Sequence, residues 1–207
     1  KVAQLATIDV KGETESGYSV KRASTATKTN TPIMDTPFSV QVISHEVMED
    51  QQIVNMKNAI RNVSGVVSAG QADYDGIRIR GFNSDGFTTV YRNGLRIRRT
   101  HNSLTNVENI EVLKGPAGAI YGRIEPGGMV NMVMKKPQED SRYSIQQQVG
   151  SFNMYQTTVE ATGALNEDKT LLYRLDLDYK SDDTFVDTIY SKRSLISPVI
   201  TWRPNAQ

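Results

Sequence analysis

Side chains able to carry chemistry are few and scattered. The two histidines, His45 and His101, are far apart, and neither has the helical His partner or fixed-spacing carboxylates of a metal centre. Asp73-Tyr74-Asp75-Gly76 opens like a calcium loop, but Ser84 stands where the late acidic ligand is needed. Gly115-Pro116-Ala117-Gly118-Ala119-Ile120-Tyr121-Gly122 is glycine-rich, yet lacks both the Gly-Lys-Ser/Thr of a phosphate loop and Rossmann spacing. No Ser–His–Asp or paired-carboxylate arrangement stands out. The absence of cysteine removes disulfides, Cys-ligated zinc, iron–sulfur clusters and thiol catalysis together. No catalytic or metal-ligating residue is predicted, and an enzyme is not expected.

One charge feature remains. Between residues 78 and 99 there are six arginines (78, 80, 92, 96, 98 and 99) against one acid, Asp85. A solvated hairpin face is the ordinary reading. The functional ones are an anion-binding apex, or partners for carboxylates elsewhere, since guanidinium forks pair well with them. Phe82, Phe87 and Tyr91 lie nearby, but no nucleic-acid recognition motif accompanies them. With 24 Lys plus Arg against 23 Asp plus Glu, bulk charge offers nothing to nucleic acid either.

The elements that must position these residues change character along the chain. Residues 1–36 are rich in Thr, Ser, Lys and Glu and read as a mobile, extended arm, with a short strand-forming island at Leu5-Ala6-Thr7-Ile8-Asp9-Val10. Residues 37–137 read as a mixed α+β domain. Phe38, Val40 and Val42 alternate with polar residues as a strand. Ser44 can cap a following helical turn, and Ile53, Met56, Ile60 and Val63 fall on one helical face that ends near Gly65. Asn93-Gly94 is the favoured two-residue hairpin turn between Thr88–Arg92 and Leu95–Arg98. Strands around Ile110 and Val112 and over Met129–Met134 flank a short helix at Ala117–Tyr121.

Residues 138–207 alternate strictly. Leu171, Tyr173, Leu175, Leu177 and Tyr179 interleave with Arg174, Asp176, Asp178 and Lys180, and similar segments lie on either side, the last running from about Ser194 to Trp202. The expected connectors are Ser151–Met154, Leu165–Thr170 and Asp182–Arg193. Strands with one apolar face, one charged face and aromatic ends fit a transmembrane β-barrel. A soluble antiparallel sheet with one buried side gives the same alternation, and alternation alone does not separate the two. No run reaches the roughly 18 apolar residues of a membrane-spanning helix.

Motifs in order carry a resemblance that does separate them. Thr36-Pro37-Phe38-Ser39-Val40, Ile79-Arg80-Gly81-Phe82, Tyr91-Arg92-Asn93-Gly94-Leu95-Arg96, Ile110-Glu111-Val112-Leu113-Lys114-Gly115-Pro116, Ile120-Tyr121-Gly122, Glu125-Pro126-Gly127-Gly128-Met129-Val130-Asn131 and Lys135-Lys136-Pro137 closely resemble the plug of TonB-dependent outer-membrane transporters, in particular the ferric-siderophore receptors. Val149-Gly150-Ser151, Tyr173-Arg174-Leu175 and Thr201-Trp202-Arg203-Pro204-Asn205 resemble the start of the family's barrel. Asn93 stands where Asp is common, and Asn109 where Arg is frequent.

The resemblance implies an α+β plug domain, a mixed small sheet with short helices, followed by the first strands of a transmembrane antiparallel β-barrel. The family's barrels have about 22 strands. Four strands leave two open edges that hydrocarbon does not tolerate, so the chain is expected to be an N-terminal fragment: a periplasmic arm (1–36), a plug (37–137) and about four barrel strands (138–207). The implied function is binding and import of ferric siderophores across the outer membrane of a Gram-negative bacterium. Iron(III) is held by the siderophore as cargo, and no intrinsic cofactor is expected. Alternatives are another cargo (haem, cobalamin, an oligosaccharide) or a siderophore-sensing signal transducer.

By position in the matching motifs, the resemblance places the ligand-facing apex at Arg80, Arg96, Arg98, Arg99, His101 and Asn102. It also implies a TonB box at Ala6, Thr7, Ile8, Asp9 and Val10, which adds as a strand to the TonB C-terminal domain, itself driven by the ExbB–ExbD motor. Asp176 and Asp178 are expected to face the lumen and pair with plug arginines across a polar boundary. Lipid is the expected surrounding of the barrel strands, and nucleic acid is not an expected partner.

Overall fold

A computed structural model of the chain describes residues 17–69, 76–83, 90–97, 103–122, 124–183 and 190–204. The described elements are β1 (Arg22–Ala23), β2 (Thr31–Pro32), a 3-10 turn (Ile33–Asp35), β3 (Ser39–Ile43), α1 (His45–Asp50), α2 (Met56–Ile60), β4 (Val66–Ser68), β5 (Ile77–Ile79), β6 (Phe82–Asn83), β7 (Val90–Arg92), β8 (Leu95–Arg96), β9 (Val107–Lys114), α3 (Gly118–Tyr121), β10 (Gly128–Met134), β11 (Arg142–Gly150), β12 (Met154–Ala164), β13 (Leu171–Asp183) and β14 (Tyr190–Trp202). No helix among these residues is long and apolar enough to cross a membrane.

The N-terminal globule is organised by a five-stranded sheet ordered β3-β9-β10-β7-β8. β10 runs parallel to β7 and antiparallel to β9, making the sheet mixed. Both of its faces are covered. Ile110, Val112, Val130 and Met132 pack with Met56 and Ile60 of α2 and with Ile77 and Ile79 of β5. On the other face Leu113, Met129 and Tyr91 pack with Ala26 and Ala117. The alternating side chains of β9 and β10 therefore feed two cores, and a charge placed on either face must find partners inside the protein.

Several expectations hold in detail. Asn93 and Gly94 have φ of 47° and 77°, the paired positive values a two-residue hairpin turn demands. The Asn93 side chain also accepts the Met134 N–H at 2.9 Å, pinning the turn to β10. Ser44 caps α1 by accepting the Val47 N–H.

Three expectations need correction. The helical face read from Ile53 to Val63 is not one helix, because Asn55 accepts the Asn58 N–H at 2.9 Å and starts a fresh helix there; such local bonds compete with a continuing helix. The arm expected to be mobile through residue 36 is folded over residues 22–36, where β1 pairs with β2 and both Thr25 and Ala26 are buried. Its composition hid this, because backbone N–H groups rather than apolar side chains hold it down. The connector expected at Asp182–Arg193 is part strand at both ends, because the β13–β14 ladder continues through Asp182↔Ser191 to Asp183↔Tyr190.

β11 to β14 form an antiparallel meander, with neighbours in sequence paired along their length. This wall stands against the globule.

Candidate functional site

β13 is inside out by the standard of a soluble sheet. Arg174, Asp176, Asp178 and Lys180 are only 5, 1, 3 and 7% exposed, and they face the globule. Its apolar partners point outward, in line with Tyr143, Ile145, Ile196, Ile200 and Trp202 of the neighbouring strands, all exposed. A half-buried sheet in water places its apolar row inward, whereas a membrane barrel with a polar interior does the reverse. The outward row is also fitted: a side chain at Gly163 would meet the Tyr173 ring at 3.3 Å, and the Tyr173 hydroxyl donates to Tyr143 at 3.2 Å.

The seam between wall and globule is held by charge. Glu160 on β12 lies directly opposite Asp176 on β13, an unfavourable pairing unless cations intervene. Two do. Lys135, just beyond β10, donates to Glu160 Oε1 at 2.6 Å. Arg174 Nη2 donates to Glu160 Oε2 at 2.6 Å and lies 2.8 Å from Asp176 Oδ1, while Arg174 Nε donates to Asp176 Oδ2 at 3.0 Å. Further along, Asp178 accepts from Gln156 Nε2 at 2.6 Å and from Ser103 Oγ at 3.1 Å. Asn106 donates to Ser197 Oγ at 3.0 Å. Beside this network a cavity of about 590 Å³, lined by Gln52, Gln146, Gln148 and Glu160 among others, separates α1 from the wall.

Asp176 and Asp178 thus face inward as expected, and the bonds described for them come from groups other than the plug arginines, of which Arg98 and Arg99 lie outside the described residues. The globule cation in the network is Lys135, which bonds Glu160, and the described arginines beside the two aspartates belong to the wall: Arg174 at Asp176 and Arg193, 4.0 Å from Asp178. The arginines at 78, 80, 92 and 96 are carried on β5 to β8 and their turns, whereas the wall is met by the segments immediately before β9 and after β10. Lys135, Glu160 and Ser103 escaped the sequence reading because the like-charged pairing of Glu160 with Asp176 becomes visible only once the strand register is known.

Of the residues expected at a ligand apex, Arg80 and Arg96 are described. Arg80 forms the β5–β6 turn at φ 50°; its N–H donates to the Gly65 carbonyl at 2.8 Å, and its guanidinium approaches Gly115. Burial, joined by the Arg80 charge, pushes the neighbouring Lys114 ammonium below its usual range. Arg96 lies on the edge strand β8, lining a recess with Lys28, Tyr91 and Tyr121. These two arginines stand in different surroundings. Arg98, Arg99, His101 and Asn102 lie outside the described residues, as do Ala6, Thr7, Ile8, Asp9 and Val10. Ser103, the first described residue after 98–102, donates to Asp178 in the half of β13 towards Asp183. Among the described residues no cluster of three or more His, Asp or Glu could hold a metal ion.

Residues 32–129 match the TonB-dependent receptor plug domain. The metal-pseudopaline receptor of Pseudomonas aeruginosa is 33% identical over 97% of the chain and 30% of the receptor. The ferrichrome outer membrane transporter/phage receptor of Escherichia coli K12 is 31% identical over 89% of the chain and 26% of the transporter. The crystal structure of the ferric-catecholate import receptor Fiu from Escherichia coli K12, closed form, superposes with a TM-score of 0.80 at 27% identity, covering 89% of the chain and 26% of Fiu. The chain therefore spans less than a third of the length of these relatives.

Proposed function

We propose that the chain is the N-terminal portion of a TonB-dependent outer-membrane receptor that binds ferric siderophores and imports them, a reading supported by the plug-domain match at residues 32–129 and by the receptors it resembles. The observation that carries the proposal is the reversed polarity of β13, whose buried charges face the plug while Leu175, Leu177 and Tyr179 lie on the outward row. A plug filling a polar lumen, inside a wall that faces lipid, accounts for both rows at once. The similarity to receptors for ferrichrome and ferric catecholates supports iron–siderophore cargo. The similarity to a metal-pseudopaline receptor favours a second reading, in which the cargo is another metal chelate.

In this proposal the loop holding Arg98, Arg99, His101 and Asn102 faces the ligand, with Arg80 and Arg96 contributing charge from the plug. The chelate brings its own metal ligands, so the plug needs only shape, hydrogen bonds and charge to hold it. Ala6, Thr7, Ile8, Asp9 and Val10 form the TonB box, pairing by main-chain hydrogen bonds with the TonB C-terminal domain on the periplasmic side, where the ExbB–ExbD motor supplies the pull.

The test uses the complete receptor and a panel of ferric siderophores alongside chelates of divalent metals. Tight binding of a ferric siderophore, weakened at least about tenfold when Arg98, Arg99 and His101 are changed to Ala, as expected for charged hydrogen bonds, supports the proposal. Binding confined to other metal chelates selects the second reading, and affinity indifferent to the three substitutions removes this loop from the site. Ile8→Pro is expected to keep binding and lose uptake, because proline withdraws a ladder donor; normal uptake would move the TonB box elsewhere.

A further inference from the structure

The two covers on the five-stranded sheet differ in kind. One is α1, α2 and the β4–β5–β6 sheet, joined to it by a large apolar cluster. The other includes a single length of backbone, Ser24 to Thr27, held mainly by polar groups. Glu111, buried on β9 between β3 and β10, accepts the Thr25 N–H at 2.7 Å and the Ser24 N–H at 3.1 and 3.2 Å. Asn131 on β10 donates to Thr25 Oγ1 at 2.8 Å, and the Tyr121 hydroxyl donates to the Thr25 carbonyl at 2.8 Å. Burial and the charge of Glu111 push the Tyr121 phenol up, which keeps its proton available for that bond. Ala26, fully buried, closes over Tyr91, Leu113, Ala117 and Met129. Asn131 in turn accepts the Gly94 N–H at 2.9 Å, so the strap, β9, β10 and the β7–β8 turn form one bonded unit.

A buried carboxylate is costly unless charged hydrogen bonds satisfy it. In the structure the strap is docked, so that Glu111 has its donors and the apolar patch is covered; undocking would bring the carboxylate and Tyr91, Leu113 and Met129 into water. Just N-terminal to the strap, the chain is tied down by a ladder of two residue pairs between β1 and β2.

We infer that Glu111 is a positioning residue that clamps Ser24–Ala26 to the plug, making this strap the joint through which a pull on the N-terminal arm reaches β9 and β10. The force-bearing role rests on the transport function proposed above, whereas the clamp itself does not.

The experiment follows hydrogen exchange and uptake in the complete receptor, comparing wild type with Glu111→Ala and Glu111→Gln. In Glu111→Ala the Ser24 and Thr25 amides are expected to exchange at least about tenfold faster, the size expected for loss of charged hydrogen bonds, while amides in the β9–β10 ladder keep their protection. Glu111→Gln retains an acceptor oxygen and is expected to fall between. Ligand affinity stays within about twofold, while uptake per bound ligand falls in the same order. Should Glu111→Ala fail to assemble, Thr25→Val, which removes the hydroxyl bonded to Asn131, is measured in the same way and is also expected to loosen the strap. Unchanged Ser24 and Thr25 exchange would overturn the clamp whatever the receptor carries. Faster exchange with unchanged uptake would overturn the joint. If wild type binds no siderophore, the cargo reading fails on its own and the exchange data still decide the clamp.

Discussion

At the scale of single residues, the informative feature is two carboxylates forced into register. Glu160 and Asp176 are cross-strand neighbours, and Asp176 is almost fully buried, so their tolerance depends on Arg174, which touches both, and Lys135, which touches Glu160. The four are unequal. Removing Lys135 leaves Glu160 bound to Arg174, whereas removing Arg174 leaves Asp176 unpaired beside a second negative charge. Arg174→Ala is therefore expected to destabilise the complete receptor by roughly 3–5 kcal/mol, the range for breaking a buried pair from one side. Lys135→Ala should lose less, about 1–3 kcal/mol, the scale of one charged hydrogen bond and its stranded partner. Chemical unfolding of the detergent-solubilised receptor measures both. An Arg174→Ala loss below about 1 kcal/mol, the range of exposed pairs, would mean that the seam beside the 590 Å³ cavity is wet enough to screen these charges. Alternation put Arg174, Asp176 and Asp178 on one face, and the family resemblance turned that face inward. The partners across the seam were not legible, because Lys135 meets Glu160, and Ser103 meets Asp178, only through the folded path of β9 and β10.

At the scale of elements, what was legible and what was not divide by the kind of force involved. β7, β8 and β10 to β14 follow from alternation and turn chemistry, both local properties of the chain. The break between α1 and α2 turns on Asn55 capping a new helix, and the strap at Ser24–Thr27 turns on Glu111, a residue far along the chain. A Thr- and Ser-rich segment has no apolar period to announce such docking. The glycines of Glu125-Pro126-Gly127-Gly128 were legible as a motif, and the fold supplies the reason: a Cβ on Gly128 would lie 2.0 Å from the Leu113 carbonyl oxygen, at a φ of 128°, and one on Gly127 would lie 2.3 Å from the Ile79 carbonyl oxygen. These contacts let the start of β10 pass between β9 and the β5–β6 turn. Gly128→Ala is expected to force the ladder apart at Lys114 and destabilise the plug by about 3 kcal/mol or more, combining backbone strain with overpacking. Gly118→Ala, with open space around it and no positive φ, should be neutral or slightly stabilising. Protease sensitivity of the plug in the assembled receptor separates the two, and equal behaviour would mean that the β9–β10 contact relaxes freely.

At the scale of the whole molecule, the wall's polarity decides its solvent. Ile145, Val159, Leu177 and Ile196 sit side by side across β11 to β14, forming an apolar band, and aromatic residues Tyr190 and Trp202 sit at the strand ends. The 13 residues of β13 and of β14 exceed the roughly 9–11 that a tilted strand needs to cross a bilayer. In water this surface would be an exposed apolar patch joined to open strand edges, an aggregation hazard; in lipid it is the ground state. One substitution tells these apart. Leu177 is at the middle of β13 and of the band, so Leu177→Arg places a charge at the bilayer midplane and is expected to lower folding stability by roughly 2–4 kcal/mol and reduce assembly into the outer membrane. On a soluble sheet the same outward arginine would meet water and change stability by no more than about 0.5 kcal/mol. The measurement is refolding of the complete receptor into lipid vesicles with and without the substitution. An arginine tolerated at Leu177 would mean that the band does not face hydrocarbon, and the membrane-spanning reading of β11 to β14 would fall with it.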